Sequence, residues 1–369
     1  MFPLDLLQEY NSKPVLTDIE INKARIKKTL DHFGIQAEMG DVYASPTVTK
    51  FVVKVKEGII LSKVMELQSV FAMNLAARSA RVEIINSEKS LMGIEVPNKI
   101  VSVANPKEVL VGSEFKNVKS DLKFPLGINS FGQNVIADLA KLPHLFMAGC
   151  TGSGKSVFIS SIIMSLLYNL DPSQLRLVLI DPKRVELSPY NGIPHLLMPV
   201  MTKTEQAVIA FKEITDEMEE RYELLKKLNV ADIDSYNNTV QETEGRMFKI
   251  VLIIDELSDL MINARMETEI FIIRLAQMGD KVGIHLILST SRPAVNVFTS
   301  LIKFNINSRI GFYVPNAEAS ENLIGEKGAE KLLGKGDMLF KIGDEPLIRL
   351  QAFYVSEEEK ESIIDFLKK

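Results

Sequence analysis

Cysteine and long apolar runs are scarce in this sequence, and both absences restrict what the protein can be. Cys150 is the only cysteine among 369 residues, so the chain forms no internal disulfide and fits a reducing compartment. No apolar stretch approaches the ~18 residues that span a bilayer. The N-terminus has neither the basic nor the apolar region of a secretory signal. We therefore expect a cytoplasmic protein that makes no membrane contact itself and is tethered only if it is part of a longer chain.

The sequence also lacks an excess of positive charge. Its net charge is −5 at pH 7, which argues against non-specific nucleic-acid binding by the whole surface. A local basic surface stays compatible with this charge. The rest of the composition, with 46% hydrophobic and 25% charged residues, is that of a globular protein. The length suggests about two domains.

Changes in hydrophobic period divide the chain into three regions. Residues 1–43 have a partial apolar stripe at helical spacing and predict a helical N-terminal segment, whose basic residues we interpret as a solvated face rather than a nucleic-acid contact. Residues 44–122 mix period-two and helical patterns and predict a small α+β domain. Residues 123–369 begin with a predicted hairpin, at 124–128 and 134–138. They then alternate strand and helix, which predicts an α/β fold with a mainly parallel sheet and helices on both faces.

One stretch of the third region carries the nucleotide-binding signature G-x-x-x-x-G-K-S, the P-loop. It lies between a predicted buried strand and a predicted apolar helix. Its glycines let backbone N–H groups point at phosphate oxygens, and the helix adds its positive N-terminal dipole. Lys155 is predicted to reach the β- and γ-phosphates, and the Ser156 hydroxyl to ligate Mg²⁺. The predicted ATP-binding residues are Gly149, Cys150, Thr151, Gly152, Ser153, Gly154, Lys155 and Ser156.

A second nucleotide signal follows an almost wholly apolar predicted strand, at Asp255-Glu256. Beside a P-loop, Asp255 can hold Mg²⁺, and Glu256 can polarise the attacking water as general base. The alternative is an acid pair that only complements the dipole of the following helix. Thr290 and Ser291 end a neighbouring predicted strand, where they can sense the γ-phosphate or form a polar strand end without a ligand.

These residues belong to a longer set of stretches that resembles one family. The chain resembles the motor part of the FtsK/SpoIIIE family of bacterial double-stranded DNA translocases, over about residues 45–355. The resemblance implies a RecA-like P-loop ATPase domain preceded by a small domain, assembled as a homo-hexameric ring around duplex DNA with ATP between subunits. The matching stretches are MGIEVPNK (92–99), VIADLAKLPHLFMAGCTGSGKS (135–156), IDPKRVELSPYNGIPHLL (180–197), EMEERYELL (217–225), VLIIDELSDLM (251–261), RLAQMGDKVGIHLILSTSRP (274–293), LIKFNINSRI (301–310) and GAEKLLGKGDMLF (328–340).

The resemblance also implies a residue that acts between subunits. Arg309 takes the position of the arginine finger that reaches the neighbour's ATP, with Arg292 as the second candidate. Arg309 starts the strand after the Thr290 strand, near the expected edge of the sheet, which suits a role toward an adjoining subunit. Without the family, a surface ion pair would be the favoured interpretation of Arg309.

The DNA-facing parts implied by the resemblance are two loops, at about 315–326 and 334–349. Lys335, Lys341 and Arg349 in the second loop are the predicted DNA contacts, with a solvated surface as the alternative. The first loop departs from the family, because residues 316–321 are acidic where relatives usually carry basic residues. Ser291 is a second departure, since it replaces a glutamine that the family uses at this position.

Three functions stay open from the sequence. The first is an ATP-driven DNA translocase for chromosome partition during cell division or sporulation. The second is a related pump for conjugative DNA or secreted protein. The third is an ATP-binding scaffold with weak turnover. The sequence contains no membrane anchor and no C-terminal winged-helix domain, so we expect an excised motor or a shortened relative.

Overall fold

A computed structural model describes residues 2–10, 14, 18–240 and 245–369. These residues form two sheets, a four-stranded one and a nine-stranded one. The hydrophobic core of the smaller sheet is separate from the two cores that cover the faces of the larger sheet. No helix in these ranges combines the length and the apolarity that a membrane crossing requires.

The smaller sheet is antiparallel, with helices packed on one face. Its strand order is β1-β2-β4-β3. Buried residues of its strands and helices, including Ile26, Phe51 and Phe71, form its core. The elements in chain order are α1 (Ile19–His32), β1 (Ala37–Ala44), β2 (Val48–Val55), α2 (Leu61–Glu66), α3 (Gln68–Asn74), β3 (Arg81–Asn86) and β4 (Leu91–Pro97).

Strand β1 corrects the prediction that residues 1–43 are helical. The segment contains α1, but it then continues into β1, which pairs with β2. The register of this pairing shifts between Met39 and Val42, and such a bulge disrupts the strict alternation of apolar and polar residues that marks a strand. The bulge explains why the strand period is hidden in the sequence. Parts of 1–43 lie outside the described residues.

The boundary between the cores lies earlier than residue 122. Helices α4 (Pro106–Val111) and α5 (Ser113–Asn117) contribute Leu110 and Phe115 to the core of the larger domain. The extreme N-terminus joins the same core through Phe2, whose ring meets that of Tyr168 edge-on at a centroid distance of 5.6 Å. The smaller domain therefore lies between two segments that pack on the larger one.

The larger sheet has a parallel half and an antiparallel half. Its order is β6-β5-β13-β12-β11-β7-β10-β9-β8; the five strands from β11 to β8 are parallel, and the other pairings are antiparallel. The strands are β5 (Lys123–Asn129), β6 (Asn134–Asp138), β7 (His144–Ala148), β8 (Leu175–Ile180), β9 (Lys249–Ile254), β10 (Ile284–Thr290), β11 (Ser308–Gly311), β12 (Asp337–Ile342) and β13 (Ile348–Gln351). The helices are α6 (Lys155–Asn169), α7 (Thr204–Leu228), α8 (Ile233–Thr239), α9 (Leu257–Asn263), α10 (Arg265–Met278), α11 (Ser300–Asn305), α12 (Ala317–Ile324) and α13 (Glu357–Leu367).

Both faces of the parallel strands are covered, which confirms the predicted α/β fold. Alternate residues of β7 enter different cores: Leu145 and Met147 pack with α6, whereas Phe146 and Ala148 pack with α7, α9 and α10. Strands buried on both faces read as continuous apolar runs, as β7, β9 and β10 do. Because these strands are parallel, their carboxyl ends meet at one edge, and the P-loop and Asp255-Glu256 start there.

Candidate nucleotide-binding and catalytic site

A cleft of ≈ 820 Å³ opens at the carboxyl ends of β7 and β9. One wall is polar and is formed by the P-loop, the Asp255-Glu256 pair and the turn after β8. A second wall comes from segments distant in the sequence, at 101–104, 333–336 and 351–354. This second wall includes Val101, Val103 and Tyr354, which are partly exposed. The cleft thus has one apolar side, which suits a base, and one charged side, which suits phosphates.

The P-loop is a tight turn held from two directions. Gly152 and Gly154 have φ angles of 77° and 109°, a region that side chains disfavour. A Cβ on Gly154 would lie 2.4 Å from the backbone N of Gly336, so only glycine fits there. The Gly336 N–H donates to the Ser153 carbonyl at 2.8 Å, and the Cys150 N–H donates to the carbonyl of Tyr313 at 2.7 Å. The loop conformation is therefore fixed by its neighbours.

Lys155 begins helix α6 and is buried at the floor of the loop. Its Nζ donates to the carbonyls of Gly149 at 2.6 Å and Cys150 at 3.1 Å. Burial lowers the pKa of Lys155, against the opposing effect of Glu256 and Asp255. The Ser153 hydroxyl is buried without a hydrogen-bond partner in the described part of the chain. A buried ammonium and an unpartnered hydroxyl at the start of a helix are what a phosphate group would satisfy.

Asp255 lies directly after β9 on the same wall of the cleft. Burial raises its pKa to about 7, together with the negative charges of Glu186 and Asp181, while Lys183 opposes the shift. Its carboxylate accepts no hydrogen bond from the residues that the structure describes. A buried carboxylate among like charges is costly when ionised, and a divalent cation would stabilise it. Asp255 and the nearby Ser156 therefore fit the hard oxygen ligation of Mg²⁺.

Glu256 is held far more tightly than its neighbour. Its side chain is only 2% exposed. Oε1 accepts hydrogen bonds from the hydroxyls of Ser258 and Thr290, at 2.8 and 2.6 Å. Oε2 accepts from Lys183 Nζ at 2.6 Å and from the Ser291 hydroxyl at 2.5 Å, and the Ser291 N–H reaches both oxygens. Burial would raise the pKa of Glu256, but these donors lower it to about 2.

The structure thus brings together two predicted groups from different strands. Thr290, the last residue of β10, and Ser291 both bind the Glu256 carboxylate rather than pointing away from it. Arg292, the second candidate for the arginine finger, is exposed just beyond them. The serine at position 291 places a short hydroxyl on the Glu256 carboxylate.

Arg309 does not contribute to the cleft of its own chain. It lies on β11, which is bordered by β7 and β12, so the expectation of a position near the sheet edge is wrong. Its guanidinium donates to the carbonyls of Lys303 at 2.6 Å and Ile306 at 3.2 Å, and stacks over Phe298. These contacts cap the C-terminal end of α11. Among the described residues no carboxylate pairs with this cation.

The three predicted DNA contacts do not form a common surface. Lys335 is exposed but lines the nucleotide cleft. Lys341 is at the far end of β12, where its Nζ pairs with Glu326 at 2.8 Å.

Arg349 contradicts its predicted role, because its guanidinium is buried. It binds Asp337 through Nε at 2.9 Å and Nη2 at 2.7 Å, and binds Glu95 through Nη1 at 3.1 Å. These carboxylates raise the pKa of Arg349 against the opposing effect of burial. Glu95 belongs to β4 of the smaller domain, so Arg349 joins the two domains instead of facing a phosphate backbone.

Neither the second wall of the cleft nor a role for Lys183 in the cleft was predicted from the sequence. The segments 101–104, 333–336 and 351–354 carry no motif that marks them as neighbours of the P-loop. Lys183 had one usable signal, since Asp181-Pro182-Lys183 follows a predicted strand just as Asp255-Glu256 does. Adjacent parallel strands place both sequences at the same edge of the sheet.

Comparisons with known proteins point to one family. The sequence profile of the FtsK/SpoIIIE family matches residues 107–295, and that of the FtsK alpha domain matches residues 1–98. A DNA translocase FtsK from Caldanaerobacter subterraneus subsp. tengcongensis is 47% identical over 369 residues, which are 99% of this chain and 52% of that protein. The DNA translocase FtsK of Clostridium acetobutylicum is 44% identical over 365 residues, 98% of this chain and 47% of that protein. The chain spans about half the length of these curated relatives.

Solved structures share the fold at lower identity. The conjugation coupling protein TcpA of pCW3, solved as a monomer with ATPγS, is 23% identical with a TM-score of 0.63, and the match covers 95% of this chain and 100% of that chain. The type VII secretion ATPase EccC of Thermomonospora curvata is 24% identical with a TM-score of 0.59, covering 67% of this chain and 31% of that chain. At these identities the likeness concerns the fold alone.

Proposed function

The chain belongs to the FtsK/SpoIIIE family, and from this membership we propose that it is the motor portion of an ATP-driven double-stranded DNA translocase. The observation that carries the proposal is the convergence of the P-loop, Asp255 and Glu256 on one cleft. Among its relatives, those named DNA translocase FtsK match nearly the whole chain. Their name favours DNA as the cargo, and the resemblance to the family leads us to infer chromosome partition at cell division as the process served.

The cleft binds ATP with its triphosphate on the P-loop and its base against the apolar wall near Val101 and Tyr354. Lys155 turns from its two carbonyls to the phosphates, where its charge is better compensated. Ser156 and Asp255 hold Mg²⁺, which when bound offsets negative charge on the phosphate oxygens. Enclosure by the wall of residues 351–354 restricts water around the phosphates and so strengthens each of these contacts.

Hydrolysis requires a base and a cation at the γ-phosphate. Glu256 orients and deprotonates the attacking water. Arg309 of a neighbouring copy supplies a positive charge that offsets the negative charge spreading over the γ-phosphate oxygens in the transition state. This role needs a ring in which one subunit's β11 approaches the next subunit's cleft, so we infer a homo-hexamer around duplex DNA. The absence of an acidic partner for Arg309 in the described part of its own chain supports such a role.

Displacement of a triplex-forming strand from linear duplex DNA tests the proposal. With ATP the wild-type chain should displace the strand, and with ATPγS it should not. Glu256→Gln should still bind ATPγS but hydrolyse ATP about 10²-fold or more slowly, as expected for loss of a general base. ATP hydrolysis without any stimulation by DNA and without displacement would refute the DNA motor and favour a pump for another cargo.

A further inference from the structure

The Glu256 carboxylate has more donors around it than a working general base can use. A carboxylate offers about four lone-pair sites. Five groups donate to Glu256: three hydroxyls, one backbone N–H and one ammonium. An attacking water also has to donate its proton to one of the two oxygens. At least one of the present donors must therefore leave before Glu256 can act.

Lys183 is the donor best placed to leave. Ser258 and Thr290 are buried and belong to the first turn of α9 and to the end of β10. Lys183 lies on the turn after β8, and its side chain is 46% exposed at the cleft. It is also the only one of the five donors with a net charge, on a flexible four-carbon stem.

A triphosphate competes directly for this ammonium. The polar wall of the cleft places Lys183 beside Lys155, Asp255 and Glu256. A γ-phosphate in this wall presents three oxygens and more negative charge than a single carboxylate. The ammonium would then gain a stronger partner without leaving the cleft, and an Oε2 lone pair of Glu256 would become available.

We propose that Lys183 is a positioning residue that exchanges its partner, from Glu256 to the γ-phosphate, and so frees Glu256 for water only when a triphosphate is bound. This inference rests on the proposed ATPase function. It predicts that Lys183 distinguishes ATP from ADP, because ADP has no γ-phosphate to draw the ammonium away.

Binding of ATPγS and of ADP, each measured by calorimetry, tests the exchange. Lys183→Met keeps the length of the side chain and removes its charge. It should weaken ATPγS binding about 10-fold or more, the value of a charge-assisted hydrogen bond, and leave ADP binding within about 2-fold. Lys183→Arg should preserve most of the discrimination. Arg184→Met is the matched control, since it removes a neighbouring exposed charge that neither lines the cleft nor contacts Glu256.

A double-mutant cycle isolates the competition between the two partners. Glu256→Gln weakens the hold on the ammonium, so ATPγS should bind about 2-fold or more tightly. In a Lys183→Met background the same substitution should bring no gain. An equal loss of ATPγS and ADP affinity in Lys183→Met overturns the proposal. The proposal is also overturned if Glu256→Gln increases ATPγS affinity by the same factor in the wild-type and Lys183→Met backgrounds.

The failure of the proposed function would be seen in a different measurement. These assays record binding alone, whereas the motor is tested by DNA-stimulated hydrolysis and triplex displacement. If the wild-type protein shows both activities but Lys183→Met still discriminates between ATPγS and ADP as the wild type does, only the partner exchange is refuted. If Lys183 is needed to discriminate between ATPγS and ADP but DNA does not stimulate ATP hydrolysis by the wild type, the DNA motor is refuted and the partner exchange is retained.

Discussion

Substitution of Arg349 by methionine should destabilise the protein strongly. Arg349 is 6% exposed, and it makes three hydrogen bonds to Asp337 and Glu95, neither of which is exposed at all. Lys50 also pairs with Glu95 in the same cluster, at 3.3 Å. Methionine fills a similar volume but leaves one negative charge in the cluster uncompensated. Removing one partner of a buried ion pair costs about 3–5 kcal/mol.

Urea unfolding followed by circular dichroism at pH 7 measures this cost. A loss of about 3–5 kcal/mol moves the midpoint by on the order of 1–2 M. The control combines Arg349→Met with Asp337→Asn, which restores neutrality, and should recover at least ~1 kcal/mol of the loss. If Arg349→Met loses less than about 1 kcal/mol of unfolding free energy, the idea that the buried carboxylates require the guanidinium is refuted. A larger loss in the double variant than in Arg349→Met would refute it as well.

The remaining predictions concern the nucleotide, the ring and pH. Lys155→Ala should abolish ATPγS binding, since the phosphates lose their main cation; near-normal hydrolysis would contradict the P-loop assignment. Arg309→Ala should keep ATPγS binding but lose ~10³-fold or more in DNA-stimulated ATPase. Mixing Arg309→Ala protein with Lys155→Ala protein should restore part of this activity. If the mixture stays inactive although light scattering shows that the subunits have exchanged, the trans role is excluded. Burial lowers the pKa of His144 to about 3 and of His285 to about 4, below the unfolded value of about 6.5. The contribution of these two neutral imidazoles to the free energy of unfolding should therefore be fully present above pH ~6.5 and be lost as the pH falls toward 4. The loss of stability over this range should be smaller in His285→Gln.

Local patterns were enough to predict that the P-loop and Asp255-Glu256 lie at the same edge of the sheet. The P-loop and Asp255-Glu256 each follow an apolar run that fits a buried strand, and parallel pairing then brings the two strand ends together. Thr290 and Ser291 follow the same logic from β10. No long-range information is needed, because the geometry of a parallel sheet supplies the proximity.

The other half of the cleft depends on contacts that no local pattern encodes. The wall at 333–336 reaches the P-loop through the Gly336 N–H, about 180 residues from its acceptor in the sequence. Such a contact depends on how β12 is joined to the parallel strands by antiparallel pairing. Periodicity predicts that a strand exists, but it does not predict its neighbour.

Charged residues in the sequence were equally ambiguous without their partners. Lys335, Lys341 and Arg349 look alike as basic residues in one predicted loop. The structure separates them, because Arg349 is buried where the carboxylates of Asp337 and Glu95 compensate its charge. The partner of Arg349 in the smaller domain, Glu95, is 254 residues away, so sequence spacing could not distinguish a structural ion from a DNA contact.

The Arg349→Met variant should also weaken nucleotide binding. Asp337, the main partner of Arg349, accepts the N–H of Leu333 at 2.8 Å and so anchors the 333–336 loop against the P-loop. Without the guanidinium this carboxylate is an unpaired buried charge that gains by moving toward solvent, and the loop is expected to move with it. Coupling through such a packed network is worth about 0.5–2 kcal/mol, so ATPγS affinity should fall about 2- to 30-fold. Asp337→Asn keeps an oxygen for Leu333 and should lose less affinity. Unchanged ATPγS affinity in folded Arg349→Met protein would show that the ions joining the two domains do not support the nucleotide cleft.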